Sequence, residues 1–420
     1  MLRFSEAKKN LLKNIDRLPT VKISLSENIL NTVLAENIIS QENIPNYNNS
    51  SMDGYAIKSS DTKKAPVLLK IIGEIKAGGI FSEKLKTDEA VKIMTGATIP
   101  KGADAVVMVE NTKEKREVGS GKWEVKILKP VKKGENIRKV GEDIRKGEMI
   151  LKKGTVLNPA QIGLLASIGK TKIKTVKTPK VTIITTGNEI VSSSVKKLPK
   201  GKVRNSNLWT LTTLIKRDGA IPVCVKKISD NLEKIKWAIK YAISESDAVI
   251  ISAGISVGEY DFVRVALKQL GVKMLIFQIA IKPGKPFAFS KMTRSVTPNL
   301  FRGLKTRSVP IFSLPGNPVS TMVTYEELVR PAILKMMGKQ PTVLPNLKAI
   351  LQHDICKKHG RKEFLRGIFS KKGEKYLVQS TGPQGSGILK SISKANCFIV
   401  LDEKTSFIKK GTSINIEILD

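Results

Sequence analysis

Residues 181–189 read Val-Thr-Ile-Ile-Thr-Thr-Gly-Asn-Glu, and this stretch decides the fold class of the chain. Its first six residues are all apolar or β-branched, a pattern that predicts a strand buried on both faces of a parallel sheet. A glycine and two polar residues follow at once, as expected where such a strand ends and a loop leads to a helix. We therefore expect an α/β domain built around this strand.

The alternation of strand and helix continues from this stretch to Gly338. The same patterns predict further strands over residues 221–225, 248–252 and 309–314. They predict helices over residues 207–217, 231–243, 261–270 and 318–337. Pro318 suits the first position of the last helix, and Gly338 suits its end. Strands and helices in this order predict a parallel sheet covered by helices.

The chain on either side of this domain has a different character. Residues 1–45 are predicted to be helical, with an apolar stripe on residues 11–18 and a second helix from Ser26 to Pro45. Residues 46–145 show short β-type runs, a helix is expected again from Pro159, and β-type runs return after residue 341.

The expected architecture is therefore α/β plus β, in several domains. A central parallel α/β sheet is expected with an inserted β domain, a helical N-terminal part and a C-terminal β domain. The boundaries predicted for the helical part, the insertion, the α/β domain and the C-terminal domain are 1–45 with 146–178, 46–145, 179–338 and 339–420.

Composition excludes several classes of protein. The 420 residues are 41% hydrophobic and 26% charged, as in ordinary globular proteins of several domains. No apolar run approaches the roughly 18 residues that span a bilayer, and the first ten residues lack the apolar core of a secretory signal. Three cysteines, odd in number and far apart, exclude a disulfide framework. We therefore expect a cytoplasmic protein without membrane association.

The charge of the chain is strongly positive. Lys and Arg total 73 against 37 acidic residues, a formal net charge of +36. Lysines are spread from end to end, aromatic residues make up 5%, and no nucleic-acid recognition motif accompanies them. We therefore expect no specific binding of nucleic acid. Solvated basic faces and attraction of anionic ligands both stay open as explanations.

Three predicted strands end in glycine-rich polar turns at residues 185–189, 252–261 and 314–318. Ligands of open α/β sheets bind beyond the carboxyl ends of the strands. In the third turn, Asn317 as N-cap and Pro318 as first helical residue would leave backbone N–H groups free for an anion. A fourth segment, residues 281–286, carries Lys282 and Lys285 as point charges for phosphate. Each turn alone is also typical of a simple strand-to-helix connection, but together they predict a phosphate-bearing ligand.

The second of these turns offers further chemistry. Gly254 and Gly258 would let a ligand approach the backbone closely, Ser256 supplies a hydroxyl, and the acids that follow could hold a divalent cation against phosphate. By contrast, His353, Cys356 and His359 are only three donors, and they do not predict a metal site. Asp53 directly precedes a glycine and Asp143 lies two residues after one, patterns that are more often typical of a turn than of catalysis.

The ordered set of motifs resembles the MoeA family of molybdopterin molybdenumtransferases, which includes the E domain of gephyrin. The resemblance covers nearly the whole chain. Its matching stretches are residues 51–56, 94–97, 102–106, 141–144, 186–189, 256–258 with Asp261, 282–286, 314–318, 363–366, 384–386 and 395–396.

The resemblance implies that the central α/β sheet is of the molybdopterin-binding type, and that four-domain subunits form an elongated homodimer. Its cleft would lie between the β insertion of one subunit and the α/β and C-terminal domains of the other. The implied reaction converts adenylated molybdopterin and molybdate into molybdenum cofactor and AMP with the aid of Mg²⁺. The molybdopterin adenylyltransferase is an implied partner. A non-catalytic molybdopterin-binding or scaffold protein of the same fold stays an alternative.

The resemblance also implies the site residues. Those implied as catalytic are Asp53, Thr95, Asp143, Glu189 and Asp261, of which Glu189 and Asp261 would also bind the metal. Those implied to bind substrate are Gly187, Asn205, Gly254, Ser256, Gly258, Lys282, Lys285, Pro315, Asn317, Pro318, Arg366 and Ser386. Asn205 stands where the family commonly has an acid, and Gln278 where it has a lysine, although the carbonyl oxygen of Asn205 could still coordinate a metal.

Overall fold

The computed structural model describes residues 1–26, 29–116, 123–224, 227–254, 262–296, 305–340 and 343–419. The chain forms two compact units. Unit 1 comprises residues 1–35, 154–159 and 172–420, and unit 2 comprises residues 36–153 and 160–171.

The N-terminal part is mostly strand and loop, so the expectation of a helical residue range 1–45 is wrong in large part. Helix α1 (Phe4–Lys13) buries Phe4, Ala7 and Leu11 on one face, as its apolar spacing requires. Strand β1 (Thr20–Ser24) follows it. Of the second expected helix, residues 27–28 lie outside the described residues, and residues 38–39 form a strand. The apolar residues between them lie in turns that bridge to residues 156 and 175, which are far away in the sequence.

Unit 2 is built from short strands, as the sequence predicted for the insertion. They are β2 (Ile38–Ile39), β3 (Asn49–Ser50), β4 (Gly54–Ile57), β5 (Val67–Ile75), β6 (Glu89–Ile93), β7 (Ala105–Met108), β8 (Thr112–Arg116), β9 (Trp123–Ile127), β10 (Ile137–Arg138) and β11 (Met149–Leu151). A six-stranded sheet has the order β7-β4-β6-β5-β9-β8, and β3–β10 and β2–β11 form separate pairs. Alternation along β4 sends Tyr55 and Ile57 into one buried cluster and Ala56 into another.

Helix α2 (Pro159–Ser167) begins at the proline that the sequence indicated. The α/β part of unit 1 follows. Its elements are β12 (Lys172–Val176), β13 (Lys180–Thr185), β14 (Ile190–Val191), β15 (Val203–Arg204), α3 (Ser206–Arg217), β16 (Ile221–Cys224), α4 (Leu232–Glu245), β17 (Ala248–Ser252), α5 (Phe262–Gln269), β18 (Lys273–Phe277), β19 (Ile281–Lys282), β20 (Ala288–Val296), β21 (Lys305–Leu314), α6 (Pro318–Thr324) and α7 (Arg330–Met337).

The central sheet of unit 1 is mixed rather than wholly parallel, which corrects the expectation. Its order is β16-β13-β17-β21-β20-β18. The first four strands are parallel, whereas β20 pairs antiparallel with both β21 and β18. One face packs against α3, α6 and α7, and the other packs against α4 and α5. The parallel strands β13 and β17 are buried on both faces, as their continuous apolar runs predicted.

The helix expected over residues 318–337 contains a π-helical turn (Tyr325–Val329) between α6 and α7. Pro331 explains the break, because it has no N–H to continue the regular hydrogen-bond ladder. Within the turn, Tyr325 donates a hydrogen bond to Asp218 (2.8 Å) and Glu326 accepts one from Arg217 (2.8 Å). The wide turn therefore fixes this helix to the end of α3.

The C-terminal part of unit 1 is made mainly of strands, as predicted. Its elements are β22 (Asn346–Leu351), β23 (Ile355–Cys356), β24 (Lys362–Lys372), β25 (Lys375–Ser380), α8 (Leu389–Ser393), β26 (Cys397–Leu401), β27 (Phe407–Ile408) and β28 (Ser413–Ile418). The sheet order is β19-β24-β25-β22-β28-β26, and β24 also pairs with β26. Strand β19, which belongs to the α/β part of the chain, thus joins the C-terminal sheet beside β24. Across the described ranges, no helix is long and apolar enough to span a membrane.

Candidate active site

A cavity of about 920 Å³ lies in unit 1. Its wall includes the turns that follow β13, β17 and β21, which are neighbouring parallel strands. The start of α3, the end of β19 with the turn after it, and residues 384–387 also line it, together with Ile190, Val203, Arg204 and Arg361. The cavity therefore lies beyond the carboxyl ends of the parallel strands, where open α/β sheets bind ligands.

The turn after β13 brings the carboxylate of Glu189 to the cavity. Gly187 has a φ of +138°, and a Cβ at this position would lie 2.6 Å from the Glu189 carboxylate oxygens. Only glycine fits here without displacing that carboxylate. Gly187, expected to bind substrate, is not among the lining residues, so the structure places it as a support for Glu189.

The start of α3 contributes two asparagines to the cavity wall. Asn205 caps the helix, because its Oδ1 accepts from Leu208 N (3.1 Å) while its Nδ2 donates to Thr185 Oγ1 (2.9 Å). One lone pair of the oxygen expected to reach a metal is therefore already used. Asn207 donates to Ser252 Oγ (2.9 Å) and to Gly316 O (2.8 Å), and so ties the ends of β17 and β21 together. Asn207 was not predicted as a site residue, and only its position two residues after Asn205 pointed to it.

The turn of residues 314–318 places Pro315, Asn317 and Pro318 in the cavity wall. Asn317 has the backbone conformation of an N-cap, but its side chain donates to Ser386 Oγ (3.0 Å) rather than capping α6. The N–H of Val319 donates to the carbonyl of Ser386 (3.2 Å). The helix start that was expected to be free for an anion is thus partly occupied by residue 386.

Lys282, the last residue of β19, and Lys285, in the turn that follows this strand, both line the cavity. Lys282 Nζ lies 3.2 Å from each carboxylate oxygen of Glu363, which is buried. Glu363 was not among the predicted site residues, although it lies in one of the matching stretches (residues 363–366). Lys285 is exposed, and within the described ranges its ammonium has no ion-pair partner.

Arg366 is fully buried and does not line the cavity, so the expectation that it binds substrate directly is not met by its placement. Its Nε donates to Ser391 Oγ (3.1 Å) and its Nη2 to Gly385 O (3.1 Å). Burial lowers the pKa of its guanidinium to about 10. Arg366 therefore holds residues 384–387, and Ser386 of that loop reaches the cavity.

In unit 2, the structure brings Asp53 and Thr95 together. Asp53 Oδ1 accepts from Thr95 N (2.7 Å) and Thr95 Oγ1 (2.8 Å), and these bonds hold the pKa of Asp53 below its usual value. Asp143 lies in another turn of the same unit, with its own N–H donated to Ile44 O (3.0 Å). Their catalytic roles stay predictions.

The expected metal site is only partly described. Ser256, Gly258 and Asp261 lie outside the described residues, and Gly254 lines the cavity with a φ of +71°. In the part of the chain that the structure describes, no group of three or more His, Cys, Asp or Glu side chains could hold a metal ion. Among the described residues that line the cavity, Glu189 is the one that offers a carboxylate to such an ion.

This fold and site define a multidomain protein with an open α/β domain and a ligand-sized cavity beyond the carboxyl ends of its parallel strands. Three family models match the chain: the MoeA N-terminal region (domain I and II) over residues 2–169, the probable molybdopterin binding domain over residues 182–335, and the MoeA C-terminal region (domain IV) over residues 348–419.

Whole-chain relatives agree with these matches. The molybdopterin molybdenumtransferase of Haemophilus influenzae is 36% identical over 99% of this chain and 98% of its own length. That of Bacillus subtilis is 34% identical over 93% of this chain and 88% of its own. The crystal structure of the molybdopterin biosynthesis MoeA protein from Pyrococcus horikoshii OT3 matches with a TM-score of 0.74 and 32% identity, covering both chains completely. The chain belongs to the molybdopterin molybdenumtransferase family, whose members are transferases of molybdenum cofactor biosynthesis.

Proposed function

We propose that this chain inserts molybdenum from molybdate into adenylated molybdopterin and releases AMP, and that its cavity in unit 1 binds the substrates. The observation that carries the proposal is the cavity itself, where Lys282 and Lys285 lie with one carboxylate, Glu189, in a member of this family. The pterin phosphate, the diphosphate bridge and molybdate are all anionic. Ammonium groups and backbone N–H groups are the donors that such ligands require.

Positioning is the main contribution of these residues to the reaction. Molybdate must lie beside the sulfur ligands of the pterin while the phosphate groups are held still, and fixing two reactants in one cavity removes much of the barrier. Lys282 and Lys285 bind the anionic groups, and the loop held by Arg366 closes the wall beside them.

The described residues of the cavity supply one carboxylate, Glu189, to a Mg²⁺ ion. Magnesium is usually bound by one or two carboxylates together with substrate phosphates, and Glu189 supplies one such carboxylate to the cavity. We propose that Glu189 holds the ion, with Asp261 as the second ligand expected from the sequence. When bound, the ion would neutralise charge on the diphosphate as its bond is cleaved.

The proposal includes a homodimer in which Asp53, Thr95 and Asp143 from one subunit complete the site of the other, and the molybdopterin adenylyltransferase as donor of the substrate. We also propose a cytoplasmic location, because all three cysteines are free thiols. Size-exclusion chromatography with light scattering tests the dimer, and mixing Asp53→Asn with Lys285→Met subunits tests the shared site. Mixed dimers should regain activity that neither variant has, whereas a site formed by a single subunit would show no recovery.

The catalytic proposal is tested by AMP release from adenylated molybdopterin in the presence of Mg²⁺ and molybdate. We expect molybdate-dependent release by the wild type, and release reduced about tenfold or more in Lys285→Met. The matched control is Lys348→Met, which removes an exposed lysine of β22 away from the cavity and should leave the rate unchanged. Tight binding without AMP release at any molybdate concentration would favour a non-catalytic binding or scaffold role instead.

A further inference from the structure

Lys282 at the end of β19 and Lys285 in the turn after it have different electrostatic surroundings. Lys282 is paired with Glu363 through both carboxylate oxygens at 3.2 Å, although its own side chain is 47% exposed. Lys285 lies three residues later, is exposed, and has no ion-pair partner within the described ranges. Lys282 and Lys285 therefore line the same cavity with the same formal charge, but only the charge of Lys282 is compensated by a neighbouring carboxylate.

The fold creates this difference through strand pairing. Strand β19 runs parallel to β24, with Lys282 in register with Glu363. Glu363 is almost completely buried, with 3% of its side chain exposed. The carboxylate of Glu363 therefore lies in the interior, and the ammonium of Lys282, which is paired with it, lies at the cavity wall.

A buried carboxylate constrains its cation. Removing the partner of a buried charge leaves that charge uncompensated, which is strongly unfavourable. Lys282 thus cannot swing toward a ligand and leave Glu363 behind. It can only offer its remaining N–H from a fixed position, and its charge is largely cancelled by its partner.

Lys357 is the second cation that faces Glu363. Its Nζ donates to the carbonyls of Asp402 (2.8 Å) and Thr405 (3.0 Å). Burial lowers the pKa of Lys357, and the negative charge of Glu363 opposes that shift. Because Lys357 is held by carbonyl groups, Lys282 is the cation that Glu363 presents to the cavity.

We infer that Glu363 is a positioning residue, which turns Lys282 into a fixed, charge-compensated hydrogen-bond donor and leaves Lys285 as the lysine that attracts anionic substrate. The inference deepens the proposed function and rests on it for the identity of the substrate. It assigns to Lys282 the orientation of the bound ligand, and to Lys285 the salt-dependent part of the affinity.

Binding of adenylated molybdopterin, measured at low and at high salt, separates the two lysines. Between about 0.01 M and 1 M salt the Debye length falls from about 30 Å to 3 Å, so an uncompensated cation loses its attraction while a compensated one changes little. Lys285→Met should weaken binding at low salt and reduce the salt dependence, whereas the cavity-lining Arg204 and Arg361 keep their own contribution to it. Glu363→Gln should do the reverse, since it frees the charge of Lys282 and makes affinity depend more strongly on salt.

Turnover gives the second readout. Glu363→Gln should lower kcat by about tenfold or more without raising KM at low salt, because a misplaced donor loses the productive geometry rather than the attraction. Glu363→Asp keeps the charge and should recover part of kcat. In a Lys282→Met background, Glu363→Gln should have no further effect on kcat or on salt dependence. An equal loss in both backgrounds would overturn the inference, because Glu363 would then act through another group.

Thermal unfolding tests the pairing without any ligand. Lys282→Met leaves the carboxylate of Glu363 buried without its main partner and should lower Tm by about 5 °C, and the double variant Lys282→Met/Glu363→Gln should recover most of that loss. A double variant that is less stable than Lys282→Met would contradict the pairing. If the wild type binds substrate but releases no AMP, the proposed catalysis fails while the salt and stability comparisons still decide the role of Glu363.

Discussion

The cavity of unit 1 and the Asp53–Thr95 pair of unit 2 hold their polar side chains in different ways. Around the cavity, buried groups fix the exposed ones, since Glu363 fixes Lys282 and Arg366 fixes residues 384–387. In unit 2, Asp53 is exposed and Thr95 orients it through two hydrogen bonds at the surface.

This difference predicts different consequences of substitution. Groups that are fixed from the interior cannot be changed without disturbing packing and buried hydrogen bonds, so stability and ligand binding should change together. A surface carboxylate can be changed with little effect on stability, so its loss should affect activity alone. The comparison therefore separates a cavity built into the folded interior from a reactive group carried on a surface turn.

The largest effect is expected at Arg366. Arg366→Ala removes a fully buried side chain and two hydrogen bonds, and should reduce the free energy of unfolding by about 3 kcal/mol. Affinity for adenylated molybdopterin should fall as well, because residues 384–387 lose their support. Denaturant unfolding and equilibrium binding measure the two changes.

Arg366→Met serves as the control for volume, since it keeps much of the side chain but none of the hydrogen bonds. It should be more stable than Arg366→Ala and bind substrate equally weakly. Full affinity in either variant would show that Arg366 does not hold the cavity wall. It would contradict the conclusion that buried groups position the cavity residues of unit 1.

Gly187 should give the next largest effect. In Gly187→Ala the φ of +138° strains the backbone, which should cost about 2 kcal/mol in stability, and the new Cβ displaces the Glu189 carboxylate, which should weaken the dependence of activity on Mg²⁺. Gly201→Ala is the matched control, because Gly201 also has a positive φ (+75°) but its Cβ would meet nothing within 4 Å. It should lose only about 1 kcal/mol. Equal behaviour of the two variants in Mg²⁺ titrations would contradict the role given to Gly187.

A smaller effect is expected at Glu114, which lies in the sheet of unit 2. Partial burial by itself raises its pKa, but hydrogen bonds from Lys92 (2.8 Å), Tyr55 and Trp123 (2.7 Å) outweigh this and lower the pKa of Glu114 to about 2. The stabilisation is therefore fully present above the unfolded value near 4.5 and is lost as the pH falls toward 2.

Thermal unfolding of Glu114→Gln across this range measures that contribution. The variant should be less stable than the wild type at pH 7, by less than about 1 kcal/mol because the group is partly exposed, and the difference should disappear near pH 2. A difference that is independent of pH would show that the charge of Glu114 does not contribute.

The smallest effect on stability is expected at Asp53. Asp53→Asn should leave the free energy of unfolding almost unchanged, because the side chain is exposed, yet reduce AMP release strongly. Thr95→Ser, which keeps the hydroxyl that binds Asp53, should retain more activity than Thr95→Val. A destabilised but active Asp53→Asn would reverse the comparison between the two units.

Much of the fold could be predicted because it is encoded locally. The apolar runs of β13 and β17 and the proline at the start of α6 each consist of neighbouring residues, so no distant partner is needed to recognise them. Strand β20 was missed because its pairing with β21 is not visible in its own residues. Residues 29–39 were predicted to be helical because their apolar spacing suits a helix, whereas contacts with residues 149–176 place them in strands and turns.

The same distinction holds for the candidate site. The turns that carry Glu189 and Asn317 were predicted because each follows a recognisable strand, and Lys282 was predicted from the two lysines of residues 281–286. The partner of Lys282 was not, since Glu363 lies 81 residues away and meets it only when β19 and β24 pair. The buried position of Arg366 could not be predicted either, because arginine is rarely buried and its motif does not show on which side of the wall it lies.

The central claim is that the cavity of unit 1 binds adenylated molybdopterin for molybdenum insertion. A crystal structure of the wild-type protein with this ligand tests it most directly. We expect electron density for the diphosphate bridge inside the cavity, next to Glu189, with one of its phosphate oxygens within hydrogen-bonding distance of Lys285. A ligand bound elsewhere on the chain, with the cavity containing only solvent, would contradict it.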